Sequence, residues 1–195
     1  MSYGRAKPPH NVRFKLGRVR TERYALNRHK FLSEAEVEHL EGVLKRTLAT
    51  EDERDALCLL LALRTGARAQ EILNFKRADY SNENGTFFIK GIKGSNDREI
   101  PLPDWLQRSV ERYLRKTSGD VLFDFGYHRL RQIWLFYRPV PKKFHSLRHT
   151  FAIMTYIKNR DVRLLQVALG HRSIINTLIY VDYVYSLSEL KRIVW

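Results

Sequence analysis

The run Glu51-Asp52-Glu53-Arg54-Asp55-Ala56-Leu57-Cys58-Leu59-Leu60-Leu61-Ala62-Leu63-Arg64-Thr65-Gly66 decides the fold. From Ala56 to Leu63 every residue is apolar, and a helix with one wet face does not tolerate that. The acids at its start suit the positive end of a helix dipole, and Gly66 can turn the chain at its end. The segment therefore reads as a helix buried on all sides, around which further helices must pack. Cys58 is the only cysteine of the chain. With no partner for an internal disulfide, it reads as a small core residue in a reducing compartment.

Working outward, the folded domain opens at Phe31-Leu32-Ser33. Ser33 and Glu36 form a capping-box pattern, and Val37, Leu40 and Leu44 share a face, which predicts a helix to about Arg46. On the other side Arg68 to about Phe75 is a short helix, with Arg68 at the junction. Arg68 and Glu71 are either an ordinary surface pair at helical spacing or a guanidinium held ready for a phosphate. From Tyr80 to Leu102 the period changes. Thr86–Ile89 and Arg98–Leu102 are strand candidates joined at Gly94–Asp97, with Lys93 at the mouth of the turn. Helices follow at Trp105–Lys116 and at His128–Tyr137, the latter stopped by Pro139. The next, Leu147–Lys158, is expected to bury Leu147, Phe151 and Met154 on one stripe. Val162, Leu165 and Leu169 mark a short helix ended by Gly170, and Ser173 can cap a final helix carrying Tyr180. The fold class is mainly α with a small antiparallel β-hairpin or sheet, α+β.

Composition narrows the partners. At 195 residues the chain suits one domain with a sizeable core, and 35 Lys and Arg against 21 Asp and Glu leave a formal charge of +14. Such a balance points to a polyanion, above all nucleic acid. No apolar run reaches the roughly 20 residues of a membrane span, and the polar, basic start carries no secretory signal, so a cytoplasmic protein without a membrane partner is expected. Residues 1–30 hold nine Lys and Arg against the single acid Glu22. By themselves they read as a solvated arm or linker; on DNA, Arg5, Lys7, Arg13, Lys15, Arg18 and Arg20 could follow the phosphate backbone. Residues 31–195 form the domain, closed by a tail helix 186–195 whose Leu187, Leu190 and Val194 share a face.

The chemistry concentrates in His145-Ser146-Leu147-Arg148-His149-Thr150 and Leu169-Gly170-His171-Arg172-Ser173, continuing to Tyr180. Arg148 at a helix start suits an anion. His149, beside a core helix, reads as a satisfied structural hydrogen-bonder. Tyr180, Tyr183 and Tyr185 could all be aromatic packing.

Thr-Gly-x-Arg-x-x-Glu at 65–71, Lys-Gly-x-Asn-x-Arg-x-Ile-Pro-Leu at 93–102, His-x-Leu-Arg-His-Thr at 145–150, and Leu-Gly-His followed nine residues later by Tyr180 resemble the catalytic domain of the tyrosine recombinase (phage integrase) family. Each box alone is weak; four in order, at matching intervals, are specific. The resemblance spans about Phe31 to Trp195 and does not extend to the N-terminal clamping domain most members carry. It implies a site-specific DNA recombinase of integrase, resolvase or invertase type, independent of metal and ATP and without cofactor.

In that resemblance Arg68 and Arg148 clamp the scissile phosphate and Glu71 orients Arg68. His145 adds a donor and helps manage the tyrosine proton, while His171 bonds the same phosphate. Lys93 protonates the leaving 5′ oxygen. Tyr180, selected over Tyr183 by its spacing from Leu169-Gly170-His171, forms a 3′-phosphotyrosyl link. The implied partners are double-stranded DNA and three further copies in a homotetramer on two paired sites, with monomers or weak oligomers off DNA and room for accessory DNA-bending proteins. The tail packs either in trans or in cis. Two other outcomes use the same scaffold: relaxation of supercoils in the manner of a type IB topoisomerase, and DNA binding without catalysis.

Overall fold

The computed structural model describes residues 26–92 and 94–184, together with Arg192 and Val194. Its elements are α1 (Glu34–Thr47), α2 (Glu53–Thr65), α3 (Ala69–Leu73), β1 (Tyr80–Ser81), β2 (Thr86–Ile89), β3 (Arg98–Pro101), α4 (Asp104–Lys116), α5 (Tyr127–Tyr137), α6 (Ser146–Asn159), α7 (Val162–Leu169) and α8 (Ile175–Val184). Short 3-10 turns lie at Arg28–Lys30 and Arg77–Asp79. The Lys93 position, the arm residues Arg5, Lys7, Arg13, Lys15, Arg18 and Arg20, and the tail helix 186–195, apart from Arg192 and Val194, lie outside the described residues.

Helix α2 is the axis of the molecule. Residues Ala56 to Leu63 are all buried, Cys58 among them. Each fully buried leucine there contributes about 1.5–3 kcal/mol of apolar transfer. Around α2 pack α1, α4 and α6. Helix α1 begins with the expected capping box, the Ser33 backbone N–H donating to Glu36 Oε2 at 2.8 Å and Glu36 N–H to Ser33 Oγ at 3.3 Å. Buried Glu53 at the start of α2 accepts from Arg112 Nε at 2.9 Å and Lys116 Nζ at 2.6 Å, which ties α4 to that end.

The sheet is a three-stranded antiparallel meander in the order β1-β2-β3, with Phe87 opposite Ile100 and Ile89 opposite Arg98. Inward Phe87, Ile89 and Ile100 join the main core, and Phe75 stacks on Phe87 at 4.3 Å. Strand β1 was not expected, because two residues are too few to show an alternating pattern.

Helix α6 sits between two apolar clusters. Leu147 belongs to the main core with α2, whereas Ala152, Ile153 and Tyr156 join a smaller cluster with Leu165, Leu169, Tyr180, Leu26 and Phe31. The expected stripe of Leu147, Phe151 and Met154 is therefore corrected: Leu147 is buried, Phe151 only partly so, and Met154 is 40% exposed. A helix packed on both sides buries two faces, and Phe151 and Met154 line an open groove with Leu63, Ile100 and Val167 instead. Helix α3 is also shorter than the expected 68–75. Arg68 is its extended N-cap and Asn74 its C-cap.

Candidate active site

The geometry starts at Glu71, whose carboxylate is 1% exposed. At the N-cap of α3, the Arg68 backbone N–H donates to Glu71 Oε2 at 2.8 Å, and Arg68 Nη1 reaches Oε1 at 3.0 Å. From β3, Arg98 grips the same carboxylate, Nη2 to Oε2 at 2.7 Å and Nη1 to Oε1 at 3.3 Å. Arg148 Nη1 lies 4.0 Å from Oε2. Burial alone would raise the Glu71 pKa. The hydrogen bonds and charge of Arg98, the Arg68 N–H and the Arg148 cation outweigh it and leave the carboxyl below its ordinary value. One anion thus organises three guanidiniums from three elements.

Arg148 is 2% exposed. Its Nη1 donates to Gly66 O at 2.6 Å and its Nη2 to Leu169 O at 2.7 Å. Those carbonyls stand at the C-termini of α2 and α7, where helix dipoles are negative and carbonyls lack helical partners. Burial, then the neighbouring Arg68 and Arg98 cations, press its pKa down to about 9, so it stays charged at neutral pH. Gly66 is left-handed, φ 61°, and a Cβ there would stand 2.3 Å from the Phe151 ring, so both conformation and space demand glycine.

The β2–β3 loop is bolted onto this clamp. Ser95, 6% exposed, accepts from Arg68 Nη1 at 2.7 Å and donates to Gly170 O at 3.1 Å, and Asn96 N–H also bonds Gly170 O at 2.9 Å. Gly170, φ 64°, could carry no Cβ, which would meet Asn96 O at 2.6 Å. Lys93, two residues before Ser95, lies outside the described residues.

His171 follows Gly170. Its Nε2 is 3.1 Å from Arg148 Nη2, and a guanidinium can only donate, so Nε2 accepts. With the ring neutral, Nδ1 then carries the hydrogen and donates to buried Thr177 Oγ1 at 3.0 Å. Desolvation, then Arg148, Arg68 and Arg98, bring the His171 pKa down to about 4. Its role in this arrangement is to hold the Arg148 guanidinium.

Tyr180 rides on α8 and is 2% exposed. Its hydroxyl lies 3.0 Å from His149 Nδ1. His149 is also buried, and its pKa falls to about 3 through desolvation first and then His145, Arg148 and Lys30. The exposed His145 stands edge-to-face on His149 at 4.6 Å. Its pKa falls to about 4, with desolvation the largest cause and the Arg148 and Arg68 charges next. Tyr183 is partly buried and packs edge-to-face on Phe31 at 4.8 Å, a packing role.

Arg68, His145, Arg148, His171 and Tyr180 all line one open pocket of about 1000 Å³, with Glu71 beneath Arg68. The sequence reading missed Arg98, Ser95 and Thr177, and assigned His149 no part in the site. Arg98 had a signal, a charged residue at an inward strand position between Ile89 and Ile100 in register. Ser95 and Thr177 had none. Among the described residues no group of three His, Cys, Asp or Glu could hold a metal ion, and no helix is long and apolar enough to cross a membrane.

Comparison with known proteins follows the same outline. The phage integrase family matches residues 30–186. The tyrosine recombinase XerA of Pyrococcus furiosus is 32% identical over 177 residues, covering 84% of this chain and 60% of that protein. The structure of the XerH site-specific recombinase bound to its difH substrate, a pre-cleavage complex, superposes with a TM-score of 0.66 at 27% identity, covering 85% of this chain and 53% of that one. The crystal structure of XerA recombinase gives a TM-score of 0.66 at 25% identity, covering 89% and 65%. The chain spans about half the length of the curated relatives it matches.

Proposed function

The chain belongs to the phage integrase family of tyrosine recombinases, and on that premise we propose that it cleaves and rejoins double-stranded DNA at specific sites through a covalent phosphotyrosyl intermediate. One observation carries the reading: a buried carboxylate holds two guanidiniums, Arg68 and Arg148, on the floor of the pocket that Tyr180 also lines. Such preorganised donors stabilise charge developing on a phosphate, which is usually the largest contribution to catalysis.

In this proposal Arg68 and Arg148 clamp the non-bridging oxygens and Glu71 fixes their planes. His171 steadies Arg148, and His145 stands at the exposed rim as a further donor. Tyr180 attacks, leaving a 3′-phosphotyrosyl link whose retained bond energy lets a new 5′ hydroxyl rejoin the strand. Lys93 is assigned the leaving-group proton from its place in the motif. The +14 charge and the basic arm, with Arg5, Lys7, Arg13, Lys15, Arg18 and Arg20, supply non-specific grip on the duplex. A tetramer on two paired sites, in the cytoplasm with the DNA it acts on, completes the proposal. The relative XerH, captured on its difH substrate, supports DNA as the partner.

The test is covalent capture. Incubated with a pool of nicked suicide duplexes randomised across the site, the chain should form an adduct that survives SDS. That adduct should be absent from Tyr180→Phe while gel-shift binding is retained. No adduct from the parent chain, or one that persists in Tyr180→Phe, contradicts the proposal.

A further inference from the structure

The hydroxyl that attacks must lose a proton, and among the described residues the site places one imidazole directly against it. We propose that His149, whose Nδ1 stands 3.0 Å from Tyr180 Oη on the pocket wall, receives the phenol proton as Tyr180 attacks. The inference rests on the recombinase reading above and names the residue that activates the nucleophile.

Three features of the geometry support it. The pair bridges α6 and α8, so the same helix that presents Arg148 to the phosphate presents the acceptor to the nucleophile one residue later. Both partners are buried, 6% exposed for His149 and 2% for Tyr180, so bulk water does not compete for the proton at rest. His145 contacts His149 ring to ring at 4.6 Å, which puts the exposed histidine at the rim and the buried one against the nucleophile. Among the described residues, the charged and titratable groups facing His149 include Arg148 and His145 on α6, Lys30 from the N-terminal turn, and Tyr180 on α8. The first three are cations or potential cations, so the resting ring is neutral and able to accept. A phosphodiester anion entering the clamp reverses that balance and raises the ring's basicity when the proton must move.

The step balances. The Tyr180 Oη–phosphorus bond forms and the bond from phosphorus to the 5′ oxygen breaks. The phenol proton passes to His149 Nδ1, and the 5′ oxygen takes a proton from a lysine or from water.

Two measurements on the full chain decide it. In imidazole 15N spectra of the DNA-free protein, His149 Nδ1 should be unprotonated at neutral pH, and its resonance should move in Tyr180→Phe. An Nδ1 that carries the hydrogen overturns the proposal, because it then donates to the phenol. In single-turnover cleavage of the nicked duplex pool, His149→Ala should slow adduct formation about 100-fold or more, with DNA affinity held, as loss of a general base does. Its rate should also climb with hydroxide across the neutral range, where the parent rate is flatter. His149→Asn, which returns an acceptor but not a titrating base, should recover part of the rate and keep the steep profile. A residue that merely packs would lower melting temperature and affinity and leave the pH profile unchanged. Unaltered or faster cleavage by His149→Ala overturns the inference while leaving the recombinase reading intact. A parent chain that forms no adduct defeats that reading, and with it the proton transfer, whatever the spectra show.

Discussion

The two halves of the pocket are built differently. The anion side, Arg68, Glu71, Arg98 and Arg148, is wired into the main core. Its guanidiniums share one buried carboxylate, and Arg148 closes the C-terminus of α2 and that of α7, whose Leu165 and Leu169 lie in the smaller cluster. On the other side the proposed nucleophile Tyr180, with His149 against its hydroxyl, belongs to the smaller cluster together with Leu26 and Phe31 from the segment that precedes α1. In the proposed reaction the phosphate clamp must hold still, whereas the wall carrying a 2%-exposed tyrosine must give way for a DNA phosphate to reach it. Firmness and yielding are therefore centred on different apolar clusters, with α6 and the Arg148 bonds spanning both.

That contrast can be broken first at Glu71. Glu71→Ala strands three buried or half-buried cations and should cost about 3–5 kcal/mol of global stability, read as a lower denaturation midpoint with α2 and α6 destabilised together. A midpoint near that of the parent chain would mean the clamp is not part of the core. Gly170→Ala strikes the seam between the halves. Its left-handed backbone and the 2.6 Å approach to Asn96 O should cost about 1–3 kcal/mol and release Ser95 from Arg68. Calorimetry would show the cost, and weaker sulfate binding to the clamp would show the release.

On the nucleophile side, Phe31→Leu keeps an apolar side chain but loses the edge contact with Tyr183, an expected loss of roughly 1 kcal/mol. Amide exchange should quicken in α8 and stay unchanged in α2. The remaining effect is pH-dependent. The His149 and His171 pKa values sit near 3 and near 4, below the unfolded value, so the unfolded chain binds more protons as pH falls through about 6.5. The stability these histidines contribute is complete above that point and drains away as pH drops toward 4. Melting temperature should decline between about pH 7 and about pH 5, and less steeply in His171→Gln.

The same division explains what could be read without a structure. The unbroken run Ala56–Leu63 can only be a buried helix, and the Ser33–Glu36 box fixes the start of α1, so the main core was legible. Arg68, Glu71, Arg148, His171 and Tyr180 were legible through motif spacing. Met154 was misplaced because one hydrophobic period cannot reveal a helix buried on two faces. His149 was read as a satisfied hydrogen-bonder, as its buried contact bears out, but its partner could not be named because it lies 31 residues away on another helix and no local pattern encodes that meeting. The Ser95–Gly170 contact, 75 residues apart, was hidden for the same reason.

Native-state hydrogen exchange tests the central division most directly, since it reads the opening free energy of each helix in the intact protein. The amides of Leu57 to Leu63 should exchange only through global unfolding. Those of Leu178 to Val184 should exchange through a local opening about 2 kcal/mol or more below it. Equal opening free energies for the two helices would contradict that division.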